Sequence, residues 1–393
     1  MDTQRWLERL ISFNTISSNS NMELIEALAA WFAKHQIKTH LIQEPTKLKA
    51  NLLATIPAQD GQTEGGIMLA GHTDVVPVAG QFWDSDPFVA IEEEGKIYGR
   101  GSCDMKGFIA VLLSLVPSFK KLPLIKPIHF AFTYDEEVGC IGAEYLVEYL
   151  QKISLQPEGC IVGEPSSMKP IIGEKSRRVY HCQVQGWPAH SSLAAQGCNA
   201  IEYASKLITY ITKLSKYIKE KGPLDADFDF PFTTISPNII SGGFASNVIP
   251  GTCEFLLEIR YLPQFPLENL HSQIENYINE KLVPEMRKKF PKAAIYLKQI
   301  SDAPGFNALE DAPLTHLVRT VTGIKKRLKV SYSTEAGIFQ DVGIPTIICG
   351  PGDIEQAHQP NEFISIEQLK LCESVLKNII NLFCMDLSLT NKN

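Results

Sequence analysis

The stretch Ile128-His129-Phe130-Ala131-Phe132-Thr133-Tyr134-Asp135-Glu136-Glu137-Val138-Gly139 passes from an apolar run with the composition of a buried strand into three consecutive acids. Acids concentrated at a strand end fit a solvated turn, a calcium loop, an acid/base pair or a metal site, and residues elsewhere must decide.

Outward from this strand, the runs Asn51-Leu52-Leu53-Ala54-Thr55-Ile56, Ile67-Met68-Leu69-Ala70-Gly71, Gly159-Cys160-Ile161-Val162-Gly163 and Thr346-Ile347-Ile348-Cys349 have the same character. They alternate with helical spacing over 108–116 and 143–149, after two opening amphipathic helices at 3–14 and 22–36 and before a final helix at 366–383. That alternation predicts an α/β fold with a mainly parallel sheet. Between 177 and 301 the order becomes strand, helix, strand, strand, helix, strand, the ferredoxin-like arrangement. The reading is a domain of residues 1–176 and 302–393 interrupted by an inserted domain, 177–301.

The 393 residues are 44% apolar and 21% charged, with a net charge of −7, which fits two globular domains and argues against a nucleic-acid partner. No stretch of the sequence is expected to cross a membrane. Charges at Arg5, Glu8 and Arg9 stand where a signal peptide would be apolar, so a cytoplasmic location is expected. Nine cysteines without a Cys-x-x-Cys pair suit a reducing compartment and core packing. The tail Thr390-Asn391-Lys392-Asn393 is expected to fray.

His72 ends the strand 67–71 in Gly71-His72-Thr73-Asp74, where α/β proteins build their sites. Asp74, two residues on, shares its side if the backbone stays extended, so its carboxylate can hold the tautomer of a metal-ligating imidazole. Alone, His-x-Asp more often describes a hydrogen-bonded turn. Tyr98-Gly99-Arg100-Gly101-Ser102-Cys103-Asp104-Met105-Lys106-Gly107 matches neither dinucleotide nor P-loop spacing, so its glycines more readily admit backbone to a crowded centre around Asp104. Cys103 has no positioned base. Glu164 follows another strand in Gly163-Glu164-Pro165, and His358 lies in the loop after Cys349. An O/N donor set with no thiolate requirement suits two zinc ions, or cobalt or manganese, sharing a carboxylate.

Six ordered stretches, His72-Thr73-Asp74, Gly101-Ser102-Cys103-Asp104-Met105-Lys106-Gly107, Asp135-Glu136-Glu137, Gly163-Glu164-Pro165, Ala189-His190-Ser191-Ser192 and Gln356-Ala357-His358-Gln359-Pro360, together resemble the co-catalytic zinc deacylase family over nearly the whole chain. The resemblance implies a zinc-peptidase-like catalytic domain with the insert serving as a dimerisation or lid domain of a homodimer. It implies two divalent cations, zinc first and cobalt second: His72 and Glu164 on one, Glu137 and His358 on the other, Asp104 bridging. Glu136 is then the general base for a metal-bridging water, which fits adjacent strand residues facing opposite ways, and Asp135, facing away, supports the structure.

In the insert, His190 matches a histidine that stabilises the oxyanion across the dimer interface, and Asn247 and Arg260 match substrate-carboxylate contacts. Without the resemblance these read as a loop histidine and a surface ion pair. The implied substrate is a small N-acyl amino acid. Ser333-Thr334-Glu335-Ala336 and Gly350-Pro351-Gly352 look like the deacetylase branch and point to N2-acetyl-L-ornithine, with a broader aminoacylase, a succinyl-diaminopimelate desuccinylase or a dipeptidase as alternatives. Glu335 then either faces a side-chain ammonium or is a solvated loop acid. Gly173-Glu174-Lys175-Ser176-Arg177-Arg178 departs from the family's His-Lys-Gly-type segment and leaves the acyl amino acid open.

Overall fold

A computed structural model describes residues 1–385; the terminal Thr390-Asn391-Lys392-Asn393 lies outside the described residues. The chain forms two compact units.

The first unit comprises Met1–Gly173, Phe306–Lys329 and Thr334–Asn393. Its six-stranded sheet has the spatial order Lys38–Gln43, Ala50–Ile56, Ile128–Thr133, Ile67–His72, Gly159–Pro165, Thr346–Gly350. The last four strands run parallel, while Ala50–Ile56 is antiparallel to both its neighbours, Lys38–Gln43 and Ile128–Thr133. Every residue of those four parallel strands is buried, as a sheet covered on both faces requires. Phe32 of the helix Met22–Lys34 packs on Phe130 and Phe132, with ring centroids 5.5 and 6.3 Å away. The segment Ser102–Phe119 has the length and apolarity of a membrane span, yet 83% of it is buried, so it is a core helix. All nine cysteines are buried and none is in a disulfide. The edge strand Lys38–Gln43 was not anticipated from sequence, because four of its six residues are polar and none is fully buried.

The second unit comprises Glu174–Gly305 and Val330–Ser333. Its antiparallel sheet has the order Thr234–Gly242, Thr252–Tyr261, Ser176–Gln185, Ala294–Ala303, with helices Ala200–Lys221 and Leu267–Tyr277, which is the ferredoxin-like arrangement. Its limits differ from 177 and 301 because Ser176–Gln185 and Ala294–Ala303 pair beyond position 301, Arg177 lying opposite Ala303. Val330, which the sequence reading places in the 302–393 part of the first domain, groups here because its carbonyl accepts the Lys175 amide at 3.2 Å.

Candidate metal centre

The parallel strands deliver their chemistry at one edge of the sheet. His72 is the last residue of Ile67–His72, the acids follow Thr133, Glu164 lies near the end of Gly159–Pro165, and His358 follows Gly350 in a loop. Asp104 enters from a buried turn before the core helix Gly107–Phe119. Gly101, at φ +81°, opens that turn in a conformation a side chain disfavours. Gly163 has a different reason: a Cβ there would stand 2.1 Å from the Phe108 ring, so the ring packs against bare backbone beside Glu164.

Asp104 is the centre of the cluster. Its Oδ1 lies 2.9 Å from His72 Nε2 and its Oδ2 3.3 Å from His358 Nε2. Glu137 Oε1 is 3.1 Å from His358 Nε2, and Glu164 Oε1 is 3.6 Å from His72 Nε2. Donor atoms of His72, Glu136 and Glu164 lie within 4.8 Å of one another, as do those of His72, Asp104 and Glu137.

The charges are under tension. Burial, reinforced by neighbouring acids, pushes the Glu136 and Glu164 carboxyls well above their usual range, and Glu137 upward. Burial also acts on Asp104, but hydrogen bonds with His358 and His72 hold its carboxyl down. Hydrogen bonds to Asp104 and Glu137 raise His358 to about 10. Burial opposes the charge on His72, yet hydrogen bonds to Asp104 and Asp74 raise it well above its ordinary value. Glu164 Oε1 is buried with no hydrogen-bond partner. Four crowded carboxylates, two imidazoles and that orphaned oxygen form a donor set that fits divalent cations.

Three expectations need correction. His72 Nδ1 is 2.9 Å from the main-chain oxygen of Asp74, nearer than the Asp74 carboxylate at 3.5 Å. That carboxylate also accepts the amides of Glu136 and Glu137, at 3.1 and 3.3 Å, and the Ser17 hydroxyl at 2.7 Å. Asp135 does face away, but through a left-handed turn at φ 55° rather than strand alternation, since the strand ends at Thr133. It meets Lys49 Nζ at 2.6 and 2.7 Å. Glu335 is no solvated loop acid: it is 1% exposed, and burial raises its carboxyl to about 7 against the pull of the Thr133 hydroxyl.

Cys103 is buried, and its thiol is pushed well up by burial and by Glu362 and Asp104, so it is no ready nucleophile. Glu362 was missed by sequence reading. It is buried against the amides of the Asp104 turn, and no local pattern announces a partner so far away in the chain.

His190, Asn247 and Arg260 belong to the second unit. His190 pairs with Val248 in a short ladder, and the Asn247 carbonyl accepts the Ser191 amide at 2.9 Å. His190 Nδ1 accepts the Ser192 amide at 3.2 Å, so the neutral ring carries its proton on Nε2. Arg260 donates Nε to Glu258 at 2.9 Å and Nη1 to the Ser331 carbonyl at 3.1 Å, and Arg177 shares Glu258 at 2.8 Å.

A parallel sheet that gathers buried acids and histidines at its carboxyl edge defines a metal-dependent hydrolase. The chain belongs to peptidase family M20/M25/M40, whose model matches residues 68–382. It is 36% identical over 383 residues to an acetylornithine deacetylase of Pasteurella multocida, covering 95% of this chain and 96% of that one. A second acetylornithine deacetylase, from Shigella sonnei, is 36% identical over 366 residues, covering 93% and 92%. The fold is shared with an M20 family metallo-carboxypeptidase from Sulfolobus solfataricus, with a TM-score of 0.75 over 98% of this chain and 99% of that one at 17% identity.

Proposed function

We propose that this chain hydrolyses N2-acetyl-L-ornithine to L-ornithine and acetate, a step of arginine biosynthesis, with two divalent cations held by its buried acids and histidines. The observation that carries the reading is Asp104, whose two oxygens address His72 and His358 separately. His72 and Glu164 would hold one cation, Glu137 and His358 the other, and Asp104 would serve both, with zinc the first candidate and cobalt the second. When bound, such cations polarise the acyl carbonyl and acidify water.

Glu136 accepts the proton of the attacking water as its oxygen bonds to the acyl carbon. Glu136 returns that proton to the α-amine as the C–N bond breaks, so no acyl-enzyme forms. Asp74 orients Glu136 and Glu137 through their amides. The Nε2–H of His190, contributed by the partner subunit of a homodimer, stabilises the oxyanion. Asn247 and Arg260 hold the substrate carboxylate.

The names of the two deacetylases support the choice of acyl amino acid. The same machinery would serve an aminoacylase, a succinyl-diaminopimelate desuccinylase or a dipeptidase. Nine buried cysteines, none in a disulfide, support a cytoplasmic setting. The test is a hydrolysis panel of N2-acetyl-L-ornithine, N-acetyl-L-methionine, N-succinyl-diaminopimelate and a dipeptide, run with chelated and metal-restored enzyme. A preference for acetylornithine that disappears on chelation is expected; faster turnover of another member would reassign the substrate.

A further inference from the structure

Glu362 is 1% exposed and accepts four hydrogen bonds. Its Oε2 takes Arg100 Nη1 at 2.8 Å and the Gly101 amide at 2.9 Å, and its Oε1 takes the amides of Cys103 at 2.9 Å and Asp104 at 3.0 Å. The main chain adds to this, since the Glu362 carbonyl accepts the Gly99 amide at 2.9 Å. Glu362 closes the loop that carries His358, whose carbonyl takes Gln81 Nε2 at 2.8 Å. One carboxylate thus ties the turn bearing Asp104 to the loop bearing His358.

The two halves of the cluster differ in what else holds them. His72 and Glu164 sit on sheet strands. His358 sits on a loop, at φ 62° and with its side chain 51% exposed, so its place depends on loop contacts. We propose that Glu362 is a positioning residue that registers the Asp104 turn against the His358 loop and thereby governs binding of the second of two cations. The proposal rests on the two-cation reading above. A glutamine at 362 keeps the volume but offers one acceptor oxygen, so either the Arg100 and Gly101 donors or the Cys103 and Asp104 amides lose their partner.

The test titrates the chelated full-length wild type and Glu362→Gln with Zn2+ by calorimetry and with Co2+ by visible absorption, beside thermal melting of both metal-free proteins. Two equivalents are expected for the wild type. In the variant the first should bind as before and the second about 10- to 100-fold more weakly, with an altered Co2+ spectrum. For the preferred substrate, kcat should fall while KM holds. Equal weakening of both equivalents, or two equivalents with wild-type affinity and spectrum, overturns the proposal. If Glu362→Gln does not fold, Glu362→Asp takes its place: it keeps the charge on a shorter side chain and should weaken the second equivalent alone. A wild type that takes one equivalent overturns the two-cation reading and this proposal together. Normal titration without hydrolysis of N2-acetyl-L-ornithine overturns only the substrate.

Discussion

Asp74 Oδ1 accepts the main-chain amide of Glu136 at 3.1 Å. The segment that follows His72 therefore fixes the turn that presents the proposed base. Asp74→Asn leaves one of the turn's donors unmatched, and kcat should drop about 10- to 100-fold with cation content retained. Steady-state kinetics beside metal analysis checks this, and cation loss in step with activity would make Asp74 part of the binding set instead.

Glu136→Gln keeps the shape of the side chain but cannot take a proton. Turnover should fall by about 100- to 10,000-fold, with two cations still bound. Near wild-type turnover would remove Glu136 from the reaction.

Arg260→Ala tests the substrate carboxylate contact. Loss of a charge-assisted hydrogen bond of roughly 1.5–3 kcal/mol should raise KM about 10- to 100-fold with a smaller change in kcat. A lower melting temperature with unchanged kinetics would mean that Arg260 serves only Glu258.

Glu335 gives a pH signature. Its proton leaves near 4.5 in an ordinary glutamate and at about 7 in the folded protein. Between those values the unfolded chain binds fewer protons, so stability falls as pH rises through the window and is level above it. Glu335→Gln should flatten this part of a melting-temperature profile. Because the side chain is buried, turnover of N2-acetyl-L-ornithine and N-acetyl-L-methionine should fall by the same factor; a loss confined to the ornithine substrate would restore a charge-reading role.

Chelation should destabilise the protein, because the crowded acids lose their counterions. Free Zn2+ at about 1,000 times its dissociation constant would return about 4 kcal/mol per site, read as a rise in melting temperature. Identical melting curves with and without cation would contradict the donor set.

Most of the architecture could be read from hydrophobic period, because the parallel strands are buried throughout and bounded by turn residues. The edge strand Lys38–Gln43 escaped for the opposite reason, being mostly polar and half exposed. Ligand candidates could be read because strand ends are where such residues stand out. What supports them could not. Glu362 meets amides more than 250 positions away, and the separations of 258 and 259 to Asp104 and Cys103 leave no local trace. Asp135 turns by a positive φ that three consecutive acids do not announce.

Phe108, four residues after Asp104, lies flat where a side chain at 163 would be. The segment that carries Asp104 is thus also the ruler against which Glu164 is levelled. A displacement of the Phe108 ring therefore disturbs the backbone beside Glu164 as well as the segment that carries Asp104.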